Sequence, residues 1–268
     1  MSPLRVAAAQ AGSVSGDVET NVGTAVGLVE QAAQQQARVV VLPELFLTGY
    51  DPDAWSHEAS LSPEDGRLEA LRHAAQRARA VVVSSAALRR APDVSTISLL
   101  VFTPGGEVVD AYDKQHLTDE EQPFFTPGSH GASVRVDGWQ LGLGVCYDGC
   151  FPEHAMTAVA DGATAYLCPA AYYVGSEHRR DLYYAARALD NGIYVVLAGL
   201  TGRCGSHEFN GGSAIYEPEG RPLERLGRET GVAVADLDTA EVERVQAMNP
   251  IGRDRRADLG EPVRTVAS

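Results

Sequence analysis

Cysteine is scarce. The chain has four in 268 residues, Cys146, Cys150, Cys168 and Cys204, and no two form a CxxC pair. That spacing excludes the usual zinc and dithiol frameworks, so no metal site and no disulfide is expected, and each cysteine reads first as a small buried hydrophobe. Positive charge is also short: 22 Lys plus Arg stand against 36 Asp plus Glu, a formal net charge of −14. Without a clustered basic surface, nucleic acid is excluded as an expected partner. Long apolar runs are missing too, none approaching the roughly 18 residues of a membrane span. The opening Met1 to Gln10 has too short an apolar stretch for a secretory signal and reads as a first strand. These absences predict a cytoplasmic protein with no membrane partner. What is present, 44% hydrophobic and 22% charged residues with 27 Gly and 14 Pro, is the balance of a globular chain able to form one compact α/β domain.

Helical and extended patterns alternate along the chain. Asp17 can cap an amphipathic helix to about residue 35, with Val18, Val22, Val26 and Val29 on one face. Arg38 to Leu42 is a β-branched run without period, as a buried strand shows, and it stops at Pro43. Ser62-Pro63-Glu64-Asp65 predicts a second helix start, and Val81 to Ala86 a second buried strand. Three hairpins follow, over 96–112, 134–145 and 213–226, each with a glycine-containing turn. Between them, helices over Pro152 to Ala160 and Glu177 to Asn191 close on Gly162 and Gly192, and strands follow at Thr164 to Leu167 and Tyr194 to Ala198. Hairpins interrupting helix–strand alternation predict two mixed β-sheets packed together with helices outside, a four-layer α-β-β-α sandwich. From about residue 239 periodicity fades, which predicts a C-terminal arm over the surface or a neighbouring subunit, or a loosely ordered tail.

Three strands end abruptly in reactive side chains, where α/β folds place ligands: Glu44, Lys114 and Cys146. Together they fit one reaction. A thiol attacking an amide or nitrile carbon needs a base, because free cysteine is only a few per cent thiolate at pH 7, and Glu44 can take the proton. The negative charge that develops on the carbonyl oxygen can be met by the Lys114 ammonium and the backbone N–H of Tyr147. Protonated Glu44 can then return the proton to the departing nitrogen and guide water onto the thioester.

The motifs carrying these residues are Leu42-Pro43-Glu44-Leu45-Phe46-Leu47-Thr48-Gly49-Tyr50, Tyr112-Asp113-Lys114-Gln115-His116-Leu117, and Gly144-Val145-Cys146-Tyr147-Asp148 with Phe151-Pro152-Glu153. In order, spacing and flanking residues the chain resembles the nitrilase superfamily of carbon–nitrogen hydrolases, from its first strand to about Asp238. The resemblance implies an α-β-β-α sandwich, a Glu-Lys-Cys triad of Glu44, Lys114 and Cys146, no cofactor, and assembly into homodimers or larger homo-oligomers. It also implies a further glutamate before a Phe-x-Pro-Gly signature. In Glu120-Glu121-Gln122-Pro123-Phe124-Phe125-Thr126-Pro127-Gly128 the spacing favours Glu121 as a holder of Lys114, with Glu120 competing.

Two departures bear on the substrate. Cys150 stands where many amidase-like relatives carry Arg, and Gly175-Ser176-Glu177-His178-Arg179-Arg180 replaces a common His-Trp. Arg179 or Arg180 can fork onto a substrate carboxylate, or make surface ion pairs with Glu177 and Asp181. Tyr50, Tyr172 and Tyr173 are expected to line the substrate pocket, and loops 50–60, 118–130 and 172–180 to set specificity. His116, Arg187 and Asn191 read as packing or capping residues, and Cys150 as a buried neutral thiol or, less simply, a resolving thiol. The expected activity is thiol hydrolysis of a small linear amide, with N-carbamoyl amides, nitriles and acyl transfer as alternative uses of the same chemistry. A non-catalytic scaffold is the rival from another class.

Overall fold

The computed structural model describes residues 2–55, 60–256, 258–262 and 264. In chain order its elements are β1 (Leu4–Gln10), α1 (Val18–Gln34), β2 (Val39–Val41), α2 (Glu69–Ala78), β3 (Val81–Ala91), β4 (Val94–Phe102), β5 (Val108–Asp113), β6 (Ala132–Val136) and β7 (Trp139–Leu143). They continue with α3 (Pro152–Ala160), β8 (Ala165–Ala170), α4 (Glu177–Asn191), β9 (Tyr194–Gly199), β10 (Thr201–Cys204), β11 (His207–Asn210), β12 (Ala214–Tyr216), β13 (Pro222–Arg225), β14 (Gly231–Leu237), α5 (Thr239–Met248) and α6 (Ile251–Asp254).

Two six-stranded sheets run in the orders β14-β1-β2-β3-β4-β5 and β13-β12-β9-β8-β7-β6. Both are mixed: β1, β2 and β3 are parallel, as are β7, β8 and β9, and the outer pairings are antiparallel. The central strands β2, β8 and β9 are buried along their whole length, which is why they read as unbroken apolar runs. Strands β1 and β2 of one sheet face β8 and β9 of the other, while α1 and α2 cover the first sheet and α3 and α4 the second. The predicted four-layer sandwich is the observed fold.

Boundaries follow local chemistry. Asp17 caps α1 by accepting from the Thr20 N–H at 3.0 Å, and Gly192 ends α4 in the left-handed region at φ 61°. Strands β3 and β8 run on past their expected ends to Ala91 and Ala170, and the second helix starts later than expected. Ser62-Pro63 does not start a helix; Asp65 caps a single 3-10 turn and α2 begins at Glu69. The cause is Leu61, which bridges to Leu88 and donates to the Ala87 carbonyl, holding the chain extended just before Ser62. The β10–β11 hairpin and β14 are additional to the sequence reading. The segment from Thr239, read as an arm, starts as α5 with Val242 and Val245 buried and then continues exposed.

The topology gathers the candidate residues. Strand β2 ends just before Pro43-Glu44. Strand β5, reached from β3 by two antiparallel steps, runs in the same direction as β2, so Lys114 leaves at the same edge. From the facing sheet, β7 delivers Cys146.

Candidate active site

Cys146 opens a 3-10 turn, Cys146–Cys150, directly after strand β7 and Gly144-Val145. Its φ of 43° lies in the left-handed region, which a non-glycine residue occupies only where the surroundings hold it. Those surroundings are on both sides of the bend. The Tyr184 hydroxyl donates to the Cys146 carbonyl at 3.0 Å, and Asp148 Oδ2 accepts from the Val145 N–H at 2.9 Å. Arg187 donates to the Gly149 and Cys150 carbonyls at 3.4 and 3.3 Å. The result is a strand-to-turn elbow with Cys146 at its bend.

Glu44, Lys114 and Glu121 are fully buried together. Lys114 Nζ donates to Glu44 Oε1 at 2.7 Å and to both oxygens of Glu121 at 2.7 and 2.8 Å. Glu121 also accepts from the Tyr50 hydroxyl at 2.8 Å and the Thr118 N–H at 2.9 Å. Glu44 Oε2, by contrast, is buried with no hydrogen-bond partner among the described residues. The Cys146 thiol is the smallest of the influences on this carboxyl, opposing the rise that burial causes.

Two carboxyls share one ammonium, and the titration follows from that. Burial pushes Glu44 up, Lys114 pulls it back, and the nearby Glu121 pushes it up again, leaving it at about 7. Burial alone would lower Lys114, but Glu44 and Glu121 outweigh it and keep the ammonium well above its ordinary range. The Cys146 thiol is raised well above its ordinary value by burial and then by Glu44, with Lys114 opposing. The resting sulfur is therefore a neutral thiol beside a carboxyl that titrates near neutrality, the arrangement a general base needs.

A cleft of about 670 Å³ opens above the elbow. Cys146 and Tyr147 form part of its lining, with Tyr50, Tyr172, Tyr173 and Arg179 around them. Residues of loops 118–130 and 172–180 line it, as does Tyr50; of loop 50–60, residues 56–59 lie outside the described residues.

The tyrosines do more than line the wall. Tyr50 commits its hydroxyl to Glu121, Tyr172 lies 3.4 Å from the Cys150 sulfur, and Tyr173 donates to Glu120 at 2.5 Å while stacking on His207. Glu120 thus belongs to the rim, and Glu121 is the partner of Lys114. The two arginines separate as well. Arg180 is buried and spent on Asn210, Gly211 and Asp181, so it is no candidate for substrate. Arg179 is exposed at the cleft with no ion pair among the described residues.

Cys150 is half-buried with its thiol raised, chiefly by burial. His116 stacks on Phe151 at 3.9 Å and lies 2.8 Å from Asp148 through Nδ1, a packing and hydrogen-bonding role. Asn191 donates to the Arg187 carbonyl at 2.9 Å. Sequence reasoning missed Asp148 and Tyr184, which hold the elbow, and His207 and Phe209, which back the rim. One signal was available for the buried cluster: Lys114 is the only lysine in the sequence.

The carbon-nitrogen hydrolase family model matches residues 5–247. The 2-oxoglutaramate amidase of Bacillus subtilis is 31% identical over 254 residues, covering 91% of this chain and 94% of that protein. A nitrilase of Pyrococcus abyssi is 32% identical over 247 residues, covering 90% and 92%. Among solved structures, a mutant of the amidase from Nesterenkonia sp. AN1 superposes with a TM-score of 0.85 at 32% identity, over 95% of this chain and 94% of that one. That structure shows covalent addition of the acetamide moiety of fluoroacetamide at the active-site cysteine.

Proposed function

This chain belongs to the carbon–nitrogen hydrolase family, and we propose that it hydrolyses a small linear amide through a thioester on Cys146. The observation that carries the reading is the buried contact of Lys114 with both Glu44 and Glu121 beneath an elbow that presents Cys146 to a cleft. Glu44 takes the thiol proton as the sulfur attacks the amide carbon. The oxyanion is met by Lys114 and the Tyr147 N–H, each such donor stabilising the transition state by about 3 kcal/mol. The tetrahedral adduct collapses, the carbon–nitrogen bond breaks, and Glu44 passes its proton to the nitrogen, which leaves as ammonia or an amine. Water, deprotonated by Glu44, then attacks the thioester carbon; the carboxylic acid departs and the thiol is restored. Glu121 keeps Lys114 oriented throughout.

The substrate carries a carboxylate. Arg179 supports this, as a guanidinium at the cleft with no ion pair among the described residues, and so does the similarity to an amidase named for 2-oxoglutaramate. A single domain, assembled as a homodimer or larger oligomer, is part of the proposal. It is supported by the exposed apolar side chains Leu182 and Leu189 on α4 and Met248 and Ile251 nearby in the C-terminal segment. The exposed run beyond α5 would then serve as an arm. A cytoplasmic setting is supported by four free cysteines. No helix among the described residues is long and apolar enough to cross a membrane.

The test is ammonia release from neutral and carboxylate-bearing short amides, with N-carbamoyl compounds and nitriles alongside. The expected result is turnover of the anionic amides, none with Cys146→Ala, and a KM for the anionic amide raised about tenfold by Arg179→Ala with the neutral amide unaffected. No product from any compound in the panel would contradict the reading and favour a scaffold.

A further inference from the structure

Beneath the elbow, one carboxylate joins the segment of Lys114 to the segment of Cys146. Asp148 is fully buried. Its Oδ1 accepts from the His116 N–H at 2.9 Å and lies 2.8 Å from His116 Nδ1. Its Oδ2 accepts from the Val145 N–H at 2.9 Å and from the Tyr112 hydroxyl at 2.7 Å. Tyr112 and His116 flank Lys114 by two residues on either side, and Val145 immediately precedes Cys146. Three contacts therefore come from the lysine segment and one from the cysteine segment, and they converge on a group outside the cleft lining.

The carboxylate is ionised and committed. Burial alone would raise its pKa, but the His116 hydrogen bond, the field of His154, the Tyr112 hydroxyl and the Val145 amide together hold it below the ordinary carboxylate range. His154 closes the network, with its ring nitrogens 2.9 Å from the Tyr112 and Tyr166 hydroxyls. His116, Asp148 and His154 bring metal-ligand atoms within 4.8 Å of one another. Both oxygens of Asp148 and both ring nitrogens of His154 are already engaged, which makes the group a brace rather than a cation site.

We propose that Asp148 is the positioning residue for thioester formation, fixing the Cys146 elbow relative to the Lys114 ammonium by receiving the Val145 and His116 amides in a single carboxylate. The inference rests on the amidase reading above. Its physical basis is that the Cys146 backbone lies where a non-glycine residue stays only if held. A shift of about 1 Å between nucleophile and oxyanion donor costs on the order of 100-fold in rate.

Asp148→Asn tests it, since an amide accepts at one end only and sets N–H against N–H at the other. The expected result is a kcat, per folded active site, reduced about 100-fold with KM changed less than about threefold. Tyr112→Phe removes one of the four contacts and keeps both backbone bonds. It should lower kcat by about three- to tenfold at unchanged KM, and it carries the test if Asp148→Asn does not fold. Near-wild-type kcat per folded site in either variant, with only Tm reduced, would overturn the proposal in favour of a purely structural brace. A wild type without amide turnover, or a Cys146→Ala variant that retains it, would overturn the functional reading instead, and the role of Asp148 in thioester formation with it.

Discussion

Glu44 has one oxygen on the Lys114 ammonium and the other buried with no hydrogen bond among the described residues. Its pKa near 7 has a direct kinetic consequence. As the proposed base, Glu44 must be unprotonated to accept the thiol proton, so kcat/KM should fall as pH drops through about 7. An ordinary exposed glutamate would give a limb near 4.5, the unshifted value. A pH–rate profile on any turned-over amide reads this, and Glu44→Gln should abolish turnover at every pH. An acid limb close to 4.5 would mean that another group is the base. At this scale the sequence was informative where chemistry is local. Glu44, Lys114 and Cys146 each end a strand, and that is visible in residue order. Spacing favoured Glu121, with Glu120 competing because adjacent acids differ only in which way a turn points them. The Glu121 N–H donates to the Thr118 carbonyl while its carboxylate accepts from the Thr118 N–H, a closed turn that aims Glu121 inward and leaves Glu120 on the rim.

Elements position these groups through close backbone approach. Gly128 ends the Phe-x-Pro-Gly signature and donates its N–H to the Lys114 carbonyl at 2.9 Å. A Cβ there would lie 2.2 Å from the Asp113 carbonyl oxygen, a clash with backbone that no rotamer relieves. Gly128→Ala should therefore destabilise the fold by about 1–3 kcal/mol, read as a lowered Tm, and should also lower kcat by displacing Lys114. An unchanged Tm would contradict the packing argument. Helices α3 and α4 were readable because Pro152 and Gly192 mark an end of each. Strand β14 was not, since its antiparallel partner is β1, with Leu4 opposite Leu237 across almost the whole chain. The β10–β11 hairpin is short and carries little alternation, so only its tertiary neighbours define it. Asp148 escaped notice for the same reason: its residue type was in plain view, but its partners near Lys114 are remote in sequence.

For the whole molecule, the sandwich brings two sheets together so that one contributes a carboxyl and an ammonium and the other a thiol. The layer order followed from hairpins interrupting helix–strand alternation, and the loops around the cleft were named from residue order, whereas how they meet there was not, because they are far apart in the chain. The central claim is that amide cleavage passes through an acyl group on Cys146. Partitioning with hydroxylamine tests it most directly: a carboxylate-bearing amide and its N-methyl analogue are turned over in the same hydroxylamine concentrations, and hydroxamate and acid are measured. The account predicts that both amides give the same hydroxamate-to-acid ratio, because both leave the same thioester behind, and that Cys146→Ala gives neither product. Ratios that depend on the departing nitrogen, or acid release without hydroxamate at any concentration, would contradict it.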